Sequence, residues 1–216
     1  AMQDAEPKAR VLMVNIRTRY IDQKMLDAIK AGATQVVILG AGFDSRAYRF
    51  RQQLANVKLF EVDFGPTQEY KKRRAQAVLG PSPANLKYVP IDFTKQTASA
   101  ALAKAGYRTN QKTFFIWEGV SMYLTEQQVR DFLHDIATHA TPGSQITFDH
   151  FNPFFDPPAN EANARLVAML KEWGEPWIFG IPFGKETEFI ESTGWKLTDR
   201  ISQLVTSDDE IGRAHV

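Results

Sequence analysis

Short apolar runs alternate along the chain with longer stretches in which apolar residues recur at helical spacing. Residues 11–31 follow the helical period and stop at Ala31-Gly32-Ala33, which predicts a helix. Residues 35–39 (QVVIL) form a nearly unbroken apolar run, as expected of a central parallel strand covered on both faces. Further strands are predicted at 57–62 (VKLFEV), 86–91, 113–117 (TFFIW) and 145–150. Between them lie predicted helices at 66–79, opened by Pro66 and closed by Gly80-Pro81-Ser82-Pro83, and at 96–105. Another runs from Thr125 towards Ala140, with Gln128 in capping-box position to the N-cap threonine. Strands alternating with helices in this way indicate βαβ units, right-handed crossovers and a mostly parallel sheet. The expected fold class is therefore α/β and Rossmann-like, as one domain over residues 1–216. Residues 151–183 break the rhythm, being rich in Pro, Gly, Phe and Trp around one helical piece at 159–173. An insertion there, after the fifth strand, would lie over the carboxyl edge of the sheet as a lid. A helix at 185–192 and a strand at 195–201 are predicted to follow.

Composition narrows the function. The chain has 216 residues, 44% hydrophobic and 24% charged, an ordinary globular profile. A net charge of +1 gives no drive towards a polyanion, so nucleic acid is not an expected partner. No apolar run approaches the roughly 20 residues that span a bilayer. Cysteine is absent, which removes disulfides, thiolate metal sites and cysteine nucleophiles. No metal-ligand spacing is recognisable. A cytoplasmic protein without a membrane partner is the expectation. The opening Ala1-Met2 and the abrupt end at His215-Val216 suggest a piece of a longer polypeptide.

Four successive predicted strand ends carry candidate ligand groups: Gly40-Ala41-Gly42, Glu61 to Asp63 (with Glu61 the alternative to Asp63), Asp92 and Glu118-Gly119. Ligands of open α/β sheets bind at this carboxyl edge. Glycines let the backbone approach a ligand closely, and an acidic side chain about 20 residues on can accept ribose hydroxyls. A dinucleotide site would show a third glycine where Ser45 stands, and no phosphate-loop string occurs. Asp92 suits an adenine amino group, and nearby carboxylates suit a cationic methionyl ammonium. The residues favour S-adenosyl-L-methionine, leaving S-adenosyl-L-homocysteine as product, over NAD. An NAD-type oxidoreductase and a non-catalytic binding module remain as alternatives.

Five strings in order narrow the choice: RTRYID from Arg17, QVVILGAGFDSRAYRF from Gln35, FEVDF from Phe60, VPIDF from Val89 and EGVSMYL from Glu118. Together they resemble the leucine carboxyl methyltransferase-like family of class I methyltransferases, including its bacterial small-molecule branch. The resemblance implies that Arg17 pairs with the donor's methionyl carboxylate. It implies that Gly40 and Gly42 pass beneath the methionyl part and that Asp63 holds the ribose. Asp92 and Phe93 would read the adenine, and Glu118 would face the donor's amino group. Two departures stand out: few residues precede the arginine, and only the strand at 195–201 represents the family's closing hairpin.

Several assignments compete. Arg19 is the alternative to Arg17, Asp63 could cap the next helix, and Asp92-Phe93-Thr94 could be an N-cap turn. Arg46 and Arg49 are expected to brace the first helix against acidic neighbours. Lys71-Lys72-Arg73-Arg74 reads as a solvated helix face, and His134 and His139 as surface or packing residues. For the methyl acceptor, Tyr123, Phe151, Trp177 and Phe179 are the candidate lining, within an aromatic set that includes Phe154, Phe155, Trp173 and Phe183. His150 is the one nearby candidate for a general base. The expected activity is O-methylation of a small molecule through a hydroxyl or carboxylate, with a protein C-terminus as the alternative acceptor.

Overall fold

The computed structural model describes residues 5–93, 95–153 and 160–201. Phe154, Phe155 and the predicted start of the lid helix at Ala159 lie outside the described residues. Strand β1 (Gln35–Leu39) is buried at every position, as is a second strand at Thr113–Trp117. Two further strands, Lys58–Asp63 and Leu86–Pro90, and a last one at Gln145–Phe148 complete a five-stranded sheet. In chain order these are β1 to β5, and their spatial order is β3-β2-β1-β4-β5 with every pairing parallel. The strands Gln35–Leu39 and Thr113–Trp117 are buried throughout because both faces are covered, whereas in Leu86–Pro90 only Leu86 and Val89 are buried.

Side chains of a strand point alternately to opposite faces, so β1 feeds two cores. Val36 and Ile38 pack with Ile21 and Met25 of helix α1 (Ala5–Lys30). Val37 and Leu39 pack on the other side with Leu102 of Ala98–Lys104 and with Val129, Leu133 and Ile136 of Glu126–Thr138. The latter helix starts with the expected capping box between Thr125 and Gln128. A four-residue helix, Arg46–Arg49, and a 3-10 turn, Ser121–Tyr123, appear where none was predicted.

The expected strand at 195–201 is not formed. That segment carries no strand pairing; Trp195 packs edge-on against Phe115 and donates its indole N–H to Leu133 O at 2.9 Å. Asp199 reaches back to Lys24 at 2.5 Å and accepts the Tyr20 hydroxyl at 2.8 Å on α1. Side-chain anchors at both ends hold the segment as a strap across the molecule. Residues 178–181 of the expected lid are also tied down. Ile178 N–H donates to Met122 O at 2.8 Å, Ile181 N–H donates to Phe151 O at 2.9 Å, and Phe179 and Ile181 are buried in the core.

The basic run 71–74 departs from a solvated face at its first residue. Lys71 is buried and reaches Glu61 at 2.5 Å, inside the molecule behind β2. Among the described residues Glu61 Oε1 is a buried atom without a hydrogen-bond partner, and burial pushes the Glu61 carboxyl up to about 7 against the pull of Lys71. A raised folded-state pKa means that the stability tied to this group is present at low pH and is lost as pH rises. Lys71→Met leaves a buried carboxylate uncompensated and should destabilise the fold by about 3–5 kcal/mol once Glu61 is ionised. Urea unfolding should show the smallest loss near pH 5 and a growing loss towards pH 8; a pH-independent difference would be the contrary result.

Candidate functional site

The order in which the chain adds strands reverses between β1, from which β2 and β3 extend to one side, and β4, from which β5 extends to the other. At such a switch point the loops leaving the two strands part and open a crevice at the carboxyl edge. A cleft of about 340 Å³ lies there, lined among others by Arg17, Gly40, Gly42, Phe43, Arg46 and Glu118. Gly40 (φ 66°) and Gly42 (φ 43°) adopt the left-handed conformation that side chains disfavour. A Cβ on Gly40 would lie 2.5 Å from Val120 Cγ2, whereas among the described residues nothing stands within 4 Å of one on Gly42. Gly40 is thus demanded by packing, and Gly42 leaves open space for a ligand.

The floor of the site is a charged knot. Arg46 is buried to 2% exposure, and each of its nitrogens has its own carboxylate. Nε donates to Asp22 at 2.7 Å, Nη2 to Glu118 at 2.8 Å, and Nη1 to Asp44. Burial opposes the charge, but the fields of Asp44, Glu118 and Asp22 outweigh it and hold the guanidinium more firmly protonated than usual. Arg49 adds a second contact to Asp22 at 2.7 Å. Both arginines brace α1, as their acidic neighbourhood suggested.

Arg17 lines the cleft as well and shares Glu118 with Arg46. Its Nε donates to Glu118 at 2.8 Å and its Nη1 to Asp149 at 2.6 Å. Among the described residues its Nη2 has no hydrogen-bond partner, and the side chain remains 26% exposed. Arg19, two residues on, is exposed and does not line the cleft. Asp63 accepts the N–H of Gly42 and, at 2.6 Å, that of Phe64. It therefore ties the glycine turn to the start of the helix Gly65–Leu79. Its strand neighbour Glu61 is fully buried against Lys71 and cannot substitute for it.

Asp92 sits near the third strand's end, in an ion pair with Lys95 at 2.9 Å. Phe93 is 45% exposed and meets Phe132 edge-on. On the far side, Phe151 and Trp177 stack at 4.1 Å, and the Tyr123 hydroxyl donates to Glu175 at 3.3 Å. Phe179 is only 3% exposed and packs on Phe189. His150 follows Asp149 beyond β5 and is not among the residues lining the cleft. Burial lowers its pKa. Its Nδ1 lies 3.3 Å from Phe151 O, and a carbonyl can only accept, which leaves the lone pair on Nε2.

Asp22, Asp44, Arg46 and Asp149 complete the site beyond the residues singled out as ligand groups in the sequence. Asp22 and Asp44 stood inside RTRYID and GAGFDSR, but nothing in their spacing showed that they converge on one guanidinium. Asp149 stands directly before the candidate base His150, and nothing in that position pointed to Arg17.

A model of the leucine carboxyl methyltransferase family matches residues 2–137. The chain belongs to that family. A Bacillus subtilis (strain 168) relative, YktD, is 31% identical over 188 residues and is provisionally named an S-adenosyl-L-methionine-dependent methyltransferase. The match covers 86% of this chain and 62% of that protein. A similarly named protein of Parafrankia sp. (strain EAN1pec) is 31% identical over 194 residues, covering 89% of this chain and 61% of the relative. The chain thus spans about three-fifths of the length of these relatives. Among solved structures, a provisionally named O-methyltransferase from Nostoc punctiforme PCC 73102 superposes with a TM-score of 0.59 at 12% identity. That match covers 86% of this family member and 52% of the other chain. An O-methyltransferase family protein from Burkholderia thailandensis gives 0.52 at 14% identity, covering 83% and 52%. At these identities the likeness establishes the class I methyltransferase fold.

The two glycines separate in their consequences. Gly42→Ala should cost about 1–2 kcal/mol, the penalty of a left-handed alanine. Gly40→Ala should cost roughly 1–3 kcal/mol more, because its methyl group overpacks against Val120. Chemical denaturation of both variants measures the difference, and equal losses would contradict the packing seen at Gly40.

Proposed function

We propose that this family member binds S-adenosyl-L-methionine in the β1–β4 cleft and is the donor-binding part of an O-methyltransferase for a small molecule. The observation that carries the reading is Arg17, a cleft-lining residue whose Nη2 has no hydrogen-bond partner among the described residues, beside a glycine turn that leaves room for a ligand. Arginine suits the methionyl carboxylate because its planar fork can meet both oxygens. The residues fit the rest of the donor. Asp63 spends one lone pair of each oxygen on a backbone N–H and keeps others for ribose hydroxyls. Three guanidiniums (Arg17, Arg46, Arg49) face four carboxylates (Asp22, Asp44, Glu118, Asp149), a negative balance that suits a cationic ligand. Asp92 and the exposed ring of Phe93 frame the adenine side.

The chemistry supplied by a bound donor is a methyl group on a positively charged sulfur. The chain's task is then to align an acceptor oxygen with it, and alignment alone can supply roughly 7–11 kcal/mol of the barrier. The stacked Phe151 and Trp177, with Tyr123 beside Glu175, are the acceptor wall in this reading. Phe179 supports that wall from the core. His150, neutral with its lone pair on Nε2, is the base for a hydroxyl acceptor. The family description favours the second reading, a carboxylate acceptor such as a protein C-terminus, which needs no base.

Titration calorimetry tests the donor assignment. S-adenosylmethionine or its demethylated product should bind and NAD should not; the reverse pattern would sink it. Asp63→Ala should weaken donor binding by about 1.5–3 kcal/mol, the range for a hydrogen bond to a charged group. Arg17→Ala should weaken it more than Arg17→Lys, which keeps the charge and loses the fork. A silent Arg17→Ala beside a damaging Arg19→Ala would place the carboxylate elsewhere.

The acceptor readings separate by pH. With a hydroxyl acceptor the rate should fall on the acid side as His150 protonates, at a pH below the ordinary histidine value because burial lowers its pKa. His150→Ala should abolish that limb and most of the rate. A flat profile above roughly pH 5 with an active His150→Ala would favour the carboxylate. Trp177→Ala should impair turnover while leaving donor affinity intact.

A further inference from the structure

Asp149 is engaged on three sides by groups from different parts of the fold. Its Oδ2 accepts Nη1 of Arg17 at 2.6 Å, and its Oδ1 accepts the N–H of Gly119 at 2.7 Å. Its backbone carbonyl accepts the Ser121 hydroxyl at 2.5 Å. Gly119 (φ 73°) is the left-handed residue directly after Glu118, so this N–H fixes the turn that aims the Glu118 carboxylate. Glu118 in turn holds Nε of Arg17. The two carboxylates therefore hold Nε and Nη1 of one guanidinium and leave Nη2 without a hydrogen-bond partner among the described residues, on a side chain that lines the cleft. Arg17 enters from the N-terminal helix, and the tips of β4 and β5 decide where its fork points.

We propose that Asp149 is a positioning residue of the donor site, acting through Arg17 and Gly119 to set the fork that receives the donor's carboxylate. The proposal rests on the reading of the cleft as an S-adenosylmethionine site. It assigns Asp149 a selective role: the residue serves the amino-acid half of the ligand and is indifferent to the nucleoside half. A side chain that merely held the loop together would affect both halves alike. Asp149→Asn tests this distinction, since its amide oxygen can still accept the Gly119 N–H while the charge opposite Arg17 is gone.

Two probes are titrated calorimetrically into the folded protein: S-adenosylhomocysteine, and methylthioadenosine, which lacks the methionyl carboxylate. In Asp149→Asn the Kd for S-adenosylhomocysteine should rise roughly tenfold, the scale of one charge-assisted hydrogen bond, while methylthioadenosine binding stays unchanged. In an Arg17→Ala background the same substitution should add little, because the residue through which it acts is missing. Equal weakening for both probes, no weakening for either, or additive losses with Arg17→Ala would each overturn the positioning role. A wild-type protein that binds neither probe overturns the donor-site reading itself and the proposal with it. Should melting show that Asp149→Asn does not fold, Asp149→Glu keeps the charge and displaces it by one methylene. The same selective loss is then expected, and undiminished binding of both probes would count against the proposal.

Discussion

One buried guanidinium organises the carboxyl edge of the sheet. Arg46 leaves water almost completely, and a buried charge is tolerable only when its partners and hydrogen bonds are complete. All three nitrogens meet carboxylates, and these come from the first helix, the glycine turn and the tip of β4. The arrangement cannot relax one member at a time. Moving Glu118 strips a partner from Arg46; moving α1 withdraws Asp22; distorting the glycine turn withdraws Asp44. The elements that bound the cleft are thus held at fixed separation by a requirement of electrostatics, beyond what apolar packing enforces.

Such a knot stabilises weakly in net terms, because desolvation offsets much of the attraction. Its return is geometric. Glu118, locked on one oxygen by Arg46, offers the other to Arg17, so the position of the half-buried arginine follows from that of the buried one. A ligand meeting Arg17 encounters a group whose orientation has already been set, and less ordering remains to oppose binding.

Much of this architecture was legible in the chain. QVVIL and TFFIW are strands at the bounds that their apolar runs suggested, because central parallel strands need covering on both faces and leave little ambiguity. The Thr125–Gln128 capping box was equally local and equally clear. The strap at 195–201 misled, since its alternation suits a strand but its side chains found anchors in Leu133, Lys24 and Tyr20 instead. Lys71 misled in the opposite sense: four consecutive basic residues look solvated, yet one faces inward because Glu61 waits on β2. Convergence explains the remainder. Asp22, Asp44 and Asp149 are separated by up to 127 positions in sequence from one another and meet only through Arg46, Arg17 and Glu118. No local pattern encodes a meeting of that kind.

The two sides of the carboxyl edge are built by different physics. The β1–β4 side relies on charges that must be paired and glycines that cannot be replaced without strain or collision. The side beyond β5 relies on ring stacking, as between Phe151 and Trp177, and on backbone hydrogen bonds such as Ile181 to Phe151. Ring contacts tolerate changes of shape better than buried ion pairs tolerate loss of a partner. A chain built this way can hold one ligand half constant while the opposite wall is reshaped. Asp149 is the covalent seam between the two sides, its side chain facing Arg17 and the next residue, His150, facing Phe151.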